Sequence, residues 1–224
     1  MKNIIDTFLN PGSVFKSIKE KPEWLMPLIV VLVVMAILSI LTISTTRDLI
    51  SAQQIEAMKE RNATDEQIEQ AMKFSSGPIM LVFGGLGAII STLVILLIFA
   101  ALLNLFIPML GGNGSFKLVF SVVSFSALVK IPGNIIRWIL IFLKHSLLVS
   151  TSFALFVPNL DTHSFAYRLL NQIDFFILWE MLLVAYGISI TNNLKKQNAY
   201  ILIFALWIAS VLLSVAVGGA FGRH

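Results

Sequence analysis

The sequence predicts an all-α polytopic membrane protein: a bundle of five transmembrane helices with a kinked or broken third helix and an amphipathic N-terminal segment. Three observations indicate this class. Hydrophobic residues make up 57% of the 224 positions and charged residues only 12%, and the mean hydropathy of +0.88 exceeds what a soluble core can bury. Long apolar runs recur along the chain. Ahead of the first run, apolar side chains recur at helical spacing between lysines.

Five apolar runs are long enough, or nearly so, to cross a bilayer. A hydrocarbon core about 30 Å thick needs roughly 20 apolar residues in a helix. The runs are Leu25–Thr46, Ile79–Ile107, Phe116–Val149, Ile173–Thr191 and Ala199–Phe221. The first is too long for the apolar region of a signal peptide and lacks a small-residue cleavage site, so we expect it to remain as the first helix. Together the five runs define a membrane domain over residues 25–221.

The first 24 residues predict an amphipathic segment that lies on the membrane surface. Its apolar positions are Ile4, Ile5, Phe8, Leu9, Val14, Phe15 and Ile18, and Lys16 and Lys19 lie opposite. Four lysines precede the first run, whereas one arginine, Arg47, closely follows it. This asymmetry predicts a cytoplasmic amino terminus facing anionic lipid of the inner leaflet.

Residues 47–76 predict a helical hairpin outside the bilayer, between the first two runs. Thr64 and Gln67 have the spacing of a capping box ahead of the second arm. Acidic and basic side chains are mixed along both arms, which is typical of a solvated surface.

The third run contains a Pro-Gly pair and two cations. Pro132 lacks an amide donor and disfavours helical geometry at the preceding residue, and Gly133 loosens the next position, so a break is predicted there. Lys130, Asn134 and Arg137 share one face if helical geometry is approximately kept.

Two interpretations of these cations remain open. A charge at the bilayer centre costs about 3 kcal/mol, which favours ion pairs with Asp174 and Glu180 of the fourth run; Arg137 with Glu180 is the favoured pair. Alternatively, Lys130 and Arg137, with the positive amino end of the half-helix after Pro132, hold a lipid phosphate or another anion.

Small residues at four-residue spacing predict close helix packing in two other runs. They are Gly84 and Ala88 in the second run, and Ser210, Ser214, Gly218 and Gly222 in the fifth. Such positions let helix backbones approach each other in lipid. We assign them no ligand.

Three stretches resemble the Yip1-domain membrane proteins: "NPGSVFKSIKEKPEWLMPL", "LGGNGSFKLVFSVVSFSAL" and "SFAYRLLNQIDFFILWEMLLVAYGISI". The most specific pieces are Pro22-x-Trp24-x-x-Pro27, Gly111-Gly112 before Ser115-Phe116, and Asp174-x-Phe176-x-x-Trp179. The resemblance implies a five-helix bundle with a cytosolic amino terminus. Eukaryotic members of this family act in traffic between endoplasmic reticulum and Golgi and contact Rab GTPases. The residues before the first run lack the acidic-Leu-Tyr-Gly-Pro element of that branch, so the chain resembles the short bacterial members.

Enzymatic activity is not predicted, and no cofactor is expected. The sequence has no nucleotide-binding, hydrolase or zinc-protease motif, and the absence of cysteine excludes disulfides and thiolate metal sites. Asp161 and His163 lack a third ligand nearby, so we predict no metal there. Although the net charge is +4, no basic stripe with interleaved aromatics indicates nucleic acid.

Two functions therefore remain as hypotheses. The leading one is a non-enzymatic scaffold that organises membrane lipid or partner proteins. The alternative is a small transporter or lipid-handling protein with a polar or anion site between the third and fourth helices. The predicted partners are membrane lipids, anionic at the inner surface, with a membrane-protein partner or a second copy of the chain left open. The predicted location is the plasma membrane, or the endoplasmic reticulum or Golgi membrane in a eukaryote.

Overall fold

The computed structural model describes residues 2–146, 149, 151–157, 160–161 and 164–221, apart from the side chains of 2, 74–76 and 216–221. Within these ranges the chain forms α-helices and short 3-10 turns, and no strand occurs. The α-helices are α1 (Lys2–Leu9), α2 (Pro11–Glu20), α3 (Leu25–Glu60), α4 (Asp65–Ser76), α5 (Pro78–Phe106), α6 (Phe116–Ser126), α7 (Lys130–Lys144), α8 (Phe165–Gln172), α9 (Phe175–Thr191) and α10 (Lys196–Phe221).

Four helical stretches in the described part of the chain are long and apolar enough to cross a membrane. They are Leu25–Glu60, Pro78–Leu110, Phe116–Lys144 and Lys196–Val215. The remaining apolar helix, α9, has only 17 residues. At 1.5 Å per residue it is about 25 Å long, somewhat less than the hydrocarbon thickness. The all-α membrane class agrees with the sequence, and the fifth crossing stays a prediction.

The third stretch is interrupted ahead of its proline. The α-helical pattern of α6 changes to a 3-10 turn at Ala127–Val129, and α7 then begins at Lys130. Pro132 lies in the first turn of α7, where a backbone N–H has no intrahelical partner to lose. The interruption therefore precedes the position predicted from the sequence, and a bend of the helix axis stays a prediction.

The predicted hairpin over residues 47–76 begins inside a longer helix. The first arm is not separate, because α3 continues without interruption to Glu60. A turn precedes α4, where the Thr64 amide donates to Gln67 Oε1 at 3.0 Å and the Gln67 amide donates to Thr64 Oγ1 at 3.3 Å. The predicted capping box is present and starts α4.

The chain divides into two compact units. The core unit comprises residues 1–31, 94–133 and 150–224, and the hairpin unit comprises residues 32–93 and 134–149. In the hairpin unit α5 packs on α3 at Gly84, where Ile43 occupies the space that a Cβ would need. There the Ser39 hydroxyl also donates to the Gly84 carbonyl at 3.1 Å.

The core unit is built around α9, which packs against α2, α6 and α10. On α2, Val14, Phe15 and Ile18 are at most 1% exposed. Gly187 of α9 permits this approach, because a Cβ there would lie 2.5 Å from Val122 Cγ1 and 2.9 Å from Phe15 Cε1. The apolar face of α2 is thus buried in protein, which corrects the prediction that it lies in the lipid surface.

Aromatic contacts extend this burial along the amino-terminal segment. The ring of Phe15 meets Tyr186 edge-on with centroids 6.1 Å apart, and Phe8 of α1 meets Trp179 in the same way at 5.9 Å. Ile5 and Leu9 of α1 remain 61% and 78% exposed. Of these two helices, α1 therefore has large apolar side chains free to meet a membrane surface, whereas the described apolar side chains of α2 pack into the bundle.

The small residues of the fifth run make different contacts. Gln172 of α8 donates to the Ser214 hydroxyl at 3.2 Å, which joins α8 to α10. Ser210 is exposed and donates to the Trp207 carbonyl of its own helix. The side chain of residue 218 and the whole of Gly222 lie outside the described residues.

Candidate functional site

The core unit contains a buried ion pair between α7 and α9. Lys130 Nζ lies 2.9 Å from Glu180 Oε1, and the side chains of Lys130 and Glu180 are 25% and 5% exposed. Arg137 was predicted from the sequence as the partner of Glu180, and the structure corrects this choice to Lys130. A buried carboxylate is unfavourable unless it is paired, and Lys130 is the cation that reaches it.

Gly133 brings α7 close enough for this pair to form. The ring of Phe176 in α9 lies over Gly133, so that a Cβ added there would lie 2.6 Å from Phe176 Cγ. Gly133 to Phe176 and Lys130 to Glu180 are successive contacts along two antiparallel helix surfaces. Gly133 was predicted to loosen the helix, and the structure gives it a packing role as well.

Asp174 caps the start of α9. Its Oδ1 accepts hydrogen bonds from the backbone amides of Phe176, at 2.7 Å, and Ile177, at 3.3 Å, and its Oδ2 accepts one from the Thr151 hydroxyl. A carboxylate at this position satisfies otherwise unpaired amides and interacts favourably with the helix dipole. Asp174 was predicted to meet the cations of the third run, but its oxygens are used for the cap.

Arg137 and Asn134 line a partly open groove of about 320 Å³ within the hairpin unit. The wall is formed by α3, α5 and α7, with the residues Met35, Leu38, Ser39, Thr42, Ile43, Ala88, Ser91, Thr92, Asn134, Arg137, Trp138 and Ile141. Arg137 is exposed, and it makes no ion pair or hydrogen bond with any residue that the structure describes. This volume is at the lower end for small-molecule sites, about 300–1,000 Å³.

Trp138 adds a second unsatisfied donor to the wall of the groove. Its indole Nε1 is buried and has no hydrogen-bond partner among the described residues, which is unfavourable for a polar group. Trp138 and the hydroxyl residues Thr42 and Thr92 were not predicted from the sequence. The sequence feature that could have located the groove is the recurrence of polar residues in otherwise apolar helices. Its walls are the first three membrane helices, whereas the predicted site lay between the third and fourth.

A polar network closes one end of the core unit. The Asn192 side-chain amide donates to the Asn113 carbonyl at 2.7 Å, and the Asn113 backbone amide donates to the Asn192 carbonyl at 2.8 Å. Lys19 of α2 donates to Asn193 Oδ1 at 2.6 Å. Gly112 fits beside this network because a Cβ there would lie 3.2 Å from the Asn192 carbonyl oxygen. Of the Gly-Gly turn singled out in the sequence, Gly112 is thus a packing position.

The weak metal candidate is tested in part. Asp161 is described and His163 lies outside the described residues. Among the described positions no group of three or more histidine, cysteine, aspartate or glutamate side chains is placed to hold a metal ion.

The long apolar helices define a polytopic all-α integral membrane protein in which an amino-terminal helix packs into the bundle. The Yip1 domain matches residues 5–218, and the chain belongs to the Yip1-domain family. It is also 24% identical over 216 residues to the membrane protein YknW of Bacillus subtilis (strain 168), covering 94% of this chain and 84% of that relative. No solved structure matches the chain. The resemblance predicted from the three sequence stretches is confirmed.

Proposed function

We propose that this chain is a non-enzymatic membrane scaffold that organises lipid or partner proteins. The observation that carries the proposal is the closed pair of Lys130 and Glu180, 2.9 Å apart, with the Glu180 side chain only 5% exposed. A transport site for a charged substrate near the bilayer midplane needs opposite charges or helix ends that the substrate can reach. Here the two charges satisfy each other and join α7 to α9, which favours a rigid framework.

The proposal includes a plasma-membrane location in a bacterium, five crossings and a cytoplasmic amino terminus. The bacterial origin of the YknW relative supports the location, and the lysines ahead of α3 support the orientation. In this arrangement α9 is a short fourth crossing, which local thinning of the bilayer accommodates. The proposal also includes a bend of the third crossing, for which the 3-10 turn at Ala127–Val129 is the expected position.

Reporter fusions test this topology directly. A fusion at Gln70, after one crossing, is expected outside the cell, and a fusion at Gln197, after four, is expected in the cytoplasm. If α9 does not cross, both reporters fall on the same face, and the five-crossing arrangement is wrong. Gln70 and Gln197 are both exposed, so the fusions leave the packed core intact.

A lipid-handling role is the second candidate, and the groove around Arg137 favours it. Unlike the Lys130–Glu180 pair, Arg137 is exposed and lines a groove of about 320 Å³. A scaffold holds a lipid at such a place, whereas a lipid-handling protein moves it across the bilayer. The two functions therefore differ in transbilayer movement.

Reconstitution into vesicles separates these functions. We expect spin-labelled phosphatidylglycerol to show a larger motionally restricted fraction around the protein than spin-labelled phosphatidylcholine, because the basic surfaces attract anionic lipid. Fluorescent lipid in the same vesicles is expected to cross the bilayer no faster than in protein-free vesicles. Faster crossing would favour lipid handling, and equal restriction of both lipids would argue against lipid organisation.

A further inference from the structure

We propose that the groove of the hairpin unit binds one phospholipid, with Arg137 holding its phosphate. This inference rests on the proposed function and specifies the lipid chemistry at one site. It concerns a different cation from the structural pair, and its residues come from the first three membrane helices. The occupant is a lipid of the surrounding bilayer.

The charge of Arg137 requires a partner. A guanidinium stays protonated in proteins, and a cation within a membrane segment is unfavourable unless an anion or water satisfies it. Within the described part of the chain Arg137 has no anionic or hydrogen-bonding partner. A phosphate satisfies the guanidinium best, because two parallel N–H donors match two phosphate oxygens.

The position of the groove along the helices places Arg137 within reach of the headgroup layer. Its α3 wall runs from Met35 to Ile43, about 15–27 Å along the axis from Leu25 at the start of the helix. This places the wall in the half of the bilayer away from the amino terminus. Along α7 the distance from Arg137 to Lys144 at the helix end is about 10 Å. An arginine at this depth extends toward the headgroup layer, where lipid phosphates lie.

The groove is lined by both polar and apolar side chains, as a lipid requires. Thr42, Thr92 and the Trp138 indole supply polar atoms, whereas Met35 and Ile141 supply apolar surface. A free inorganic anion gains nothing from the apolar wall, but the glycerol and first acyl carbons of a lipid do. The unpartnered Nε1 of Trp138 offers a second donor for an oxygen of the same headgroup after a small movement of the side chain.

Native mass spectrometry of the full chain, purified in detergent with dioleoylphosphatidylglycerol, tests the proposal. We expect the unaltered protein to retain one lipid at low lipid concentration. Arg137→Gln is expected to weaken this binding at least about tenfold, because a hydrogen bond to a charged group is lost. Lys144→Gln is the matched control: it removes the same charge from the same helix at a position outside the groove wall, and it should bind like the unaltered protein.

Two further arms keep the result decisive. If Arg137→Gln does not fold, Ala88→Phe fills the groove while Arg137 remains, and lipid retention should fall to a similar extent. Retention equal to that of the unaltered protein in either folded variant overturns the proposal.

Inorganic phosphate alone should not raise the melting temperature of the protein. If phosphate raises the melting temperature as much as the lipid does, the occupant is a soluble anion and the lipid assignment is wrong. The vesicle measurement is independent, since selective lipid restriction without a site at Arg137 would leave the scaffold function standing.

Discussion

Glu180→Ala is expected to lower the free energy of unfolding by about 3–5 kcal/mol. The substitution removes the partner of Lys130 and leaves a cation inside the bundle, and breaking a buried pair has a cost of this size. A strong effect is expected because Lys130 Nζ and Glu180 Oε1 are 2.9 Å apart and the Glu180 side chain is only 5% exposed. Unfolding by sodium dodecyl sulfate in mixed micelles, followed by circular dichroism, measures the change.

Two comparisons test whether pairing is the cause. The double variant Lys130→Met with Glu180→Leu should recover much of the lost stability, since neither charge then remains. Glu69→Ala removes one partner of an exposed pair, in which the side chains of Lys73 and Glu69 are 74% and 69% exposed, and should have little effect. A double variant as unstable as Glu180→Ala alone would show that pairing is not the reason.

Phe15→Ala is expected to lower the free energy of unfolding by roughly 3 kcal/mol and to release α2 from α9. Phe15 is fully buried, and truncating a buried phenylalanine typically costs about 3–5 kcal/mol. The lower end applies because a released α2 can rest part of its apolar face on the membrane surface, where water still reaches the helix. The unfolding measurement described for Glu180 applies here too.

Cysteine labelling detects the release itself. Because the chain has no native cysteine, a single cysteine at Ile18, which is 1% exposed, should react slowly with a maleimide. It should react several times faster in the Phe15→Ala background. Lys16→Ala on the exposed side of α2 is the control and should leave the rate unchanged. Fast labelling without Phe15→Ala would mean that water reaches position 18 in the unaltered protein and that α2 does not pack on α9.

Features that depend on local sequence were predictable. Long apolar runs located α3, α5 and α10 because the hydrocarbon core requires a minimum helix length. Thr64 and Gln67 identified the start of α4 because a capping box involves residues three apart. The charged positions of the third and fourth runs were also recognised as unusual, since charges are rare inside a bilayer.

Features that depend on distant contacts were not predictable. The choice of Lys130 over Arg137 depends on how closely Gly133 lets α7 approach Phe176, which no local pattern encodes. Likewise, an amphipathic helix has the same sequence pattern whether a protein or a lipid surface covers it, so the burial of Phe15 required the structure. The groove needs three helices from separate parts of the chain, and only some of its residues were noticed beforehand.

The hydrogen bond between Lys19 and Asn193 joins residues 174 positions apart, and this separation affects how the protein is made. At about 5–20 residues per second, a ribosome needs roughly 10–35 s to synthesise that interval. During this time α2 has no α9 to pack against, so we expect the newly made helix to rest on the cytoplasmic face of the membrane. We expect lipid to cover its apolar face during synthesis and protein to cover it afterwards. Synthesis and folding of α9 allow the amino-terminal end to reach its final position.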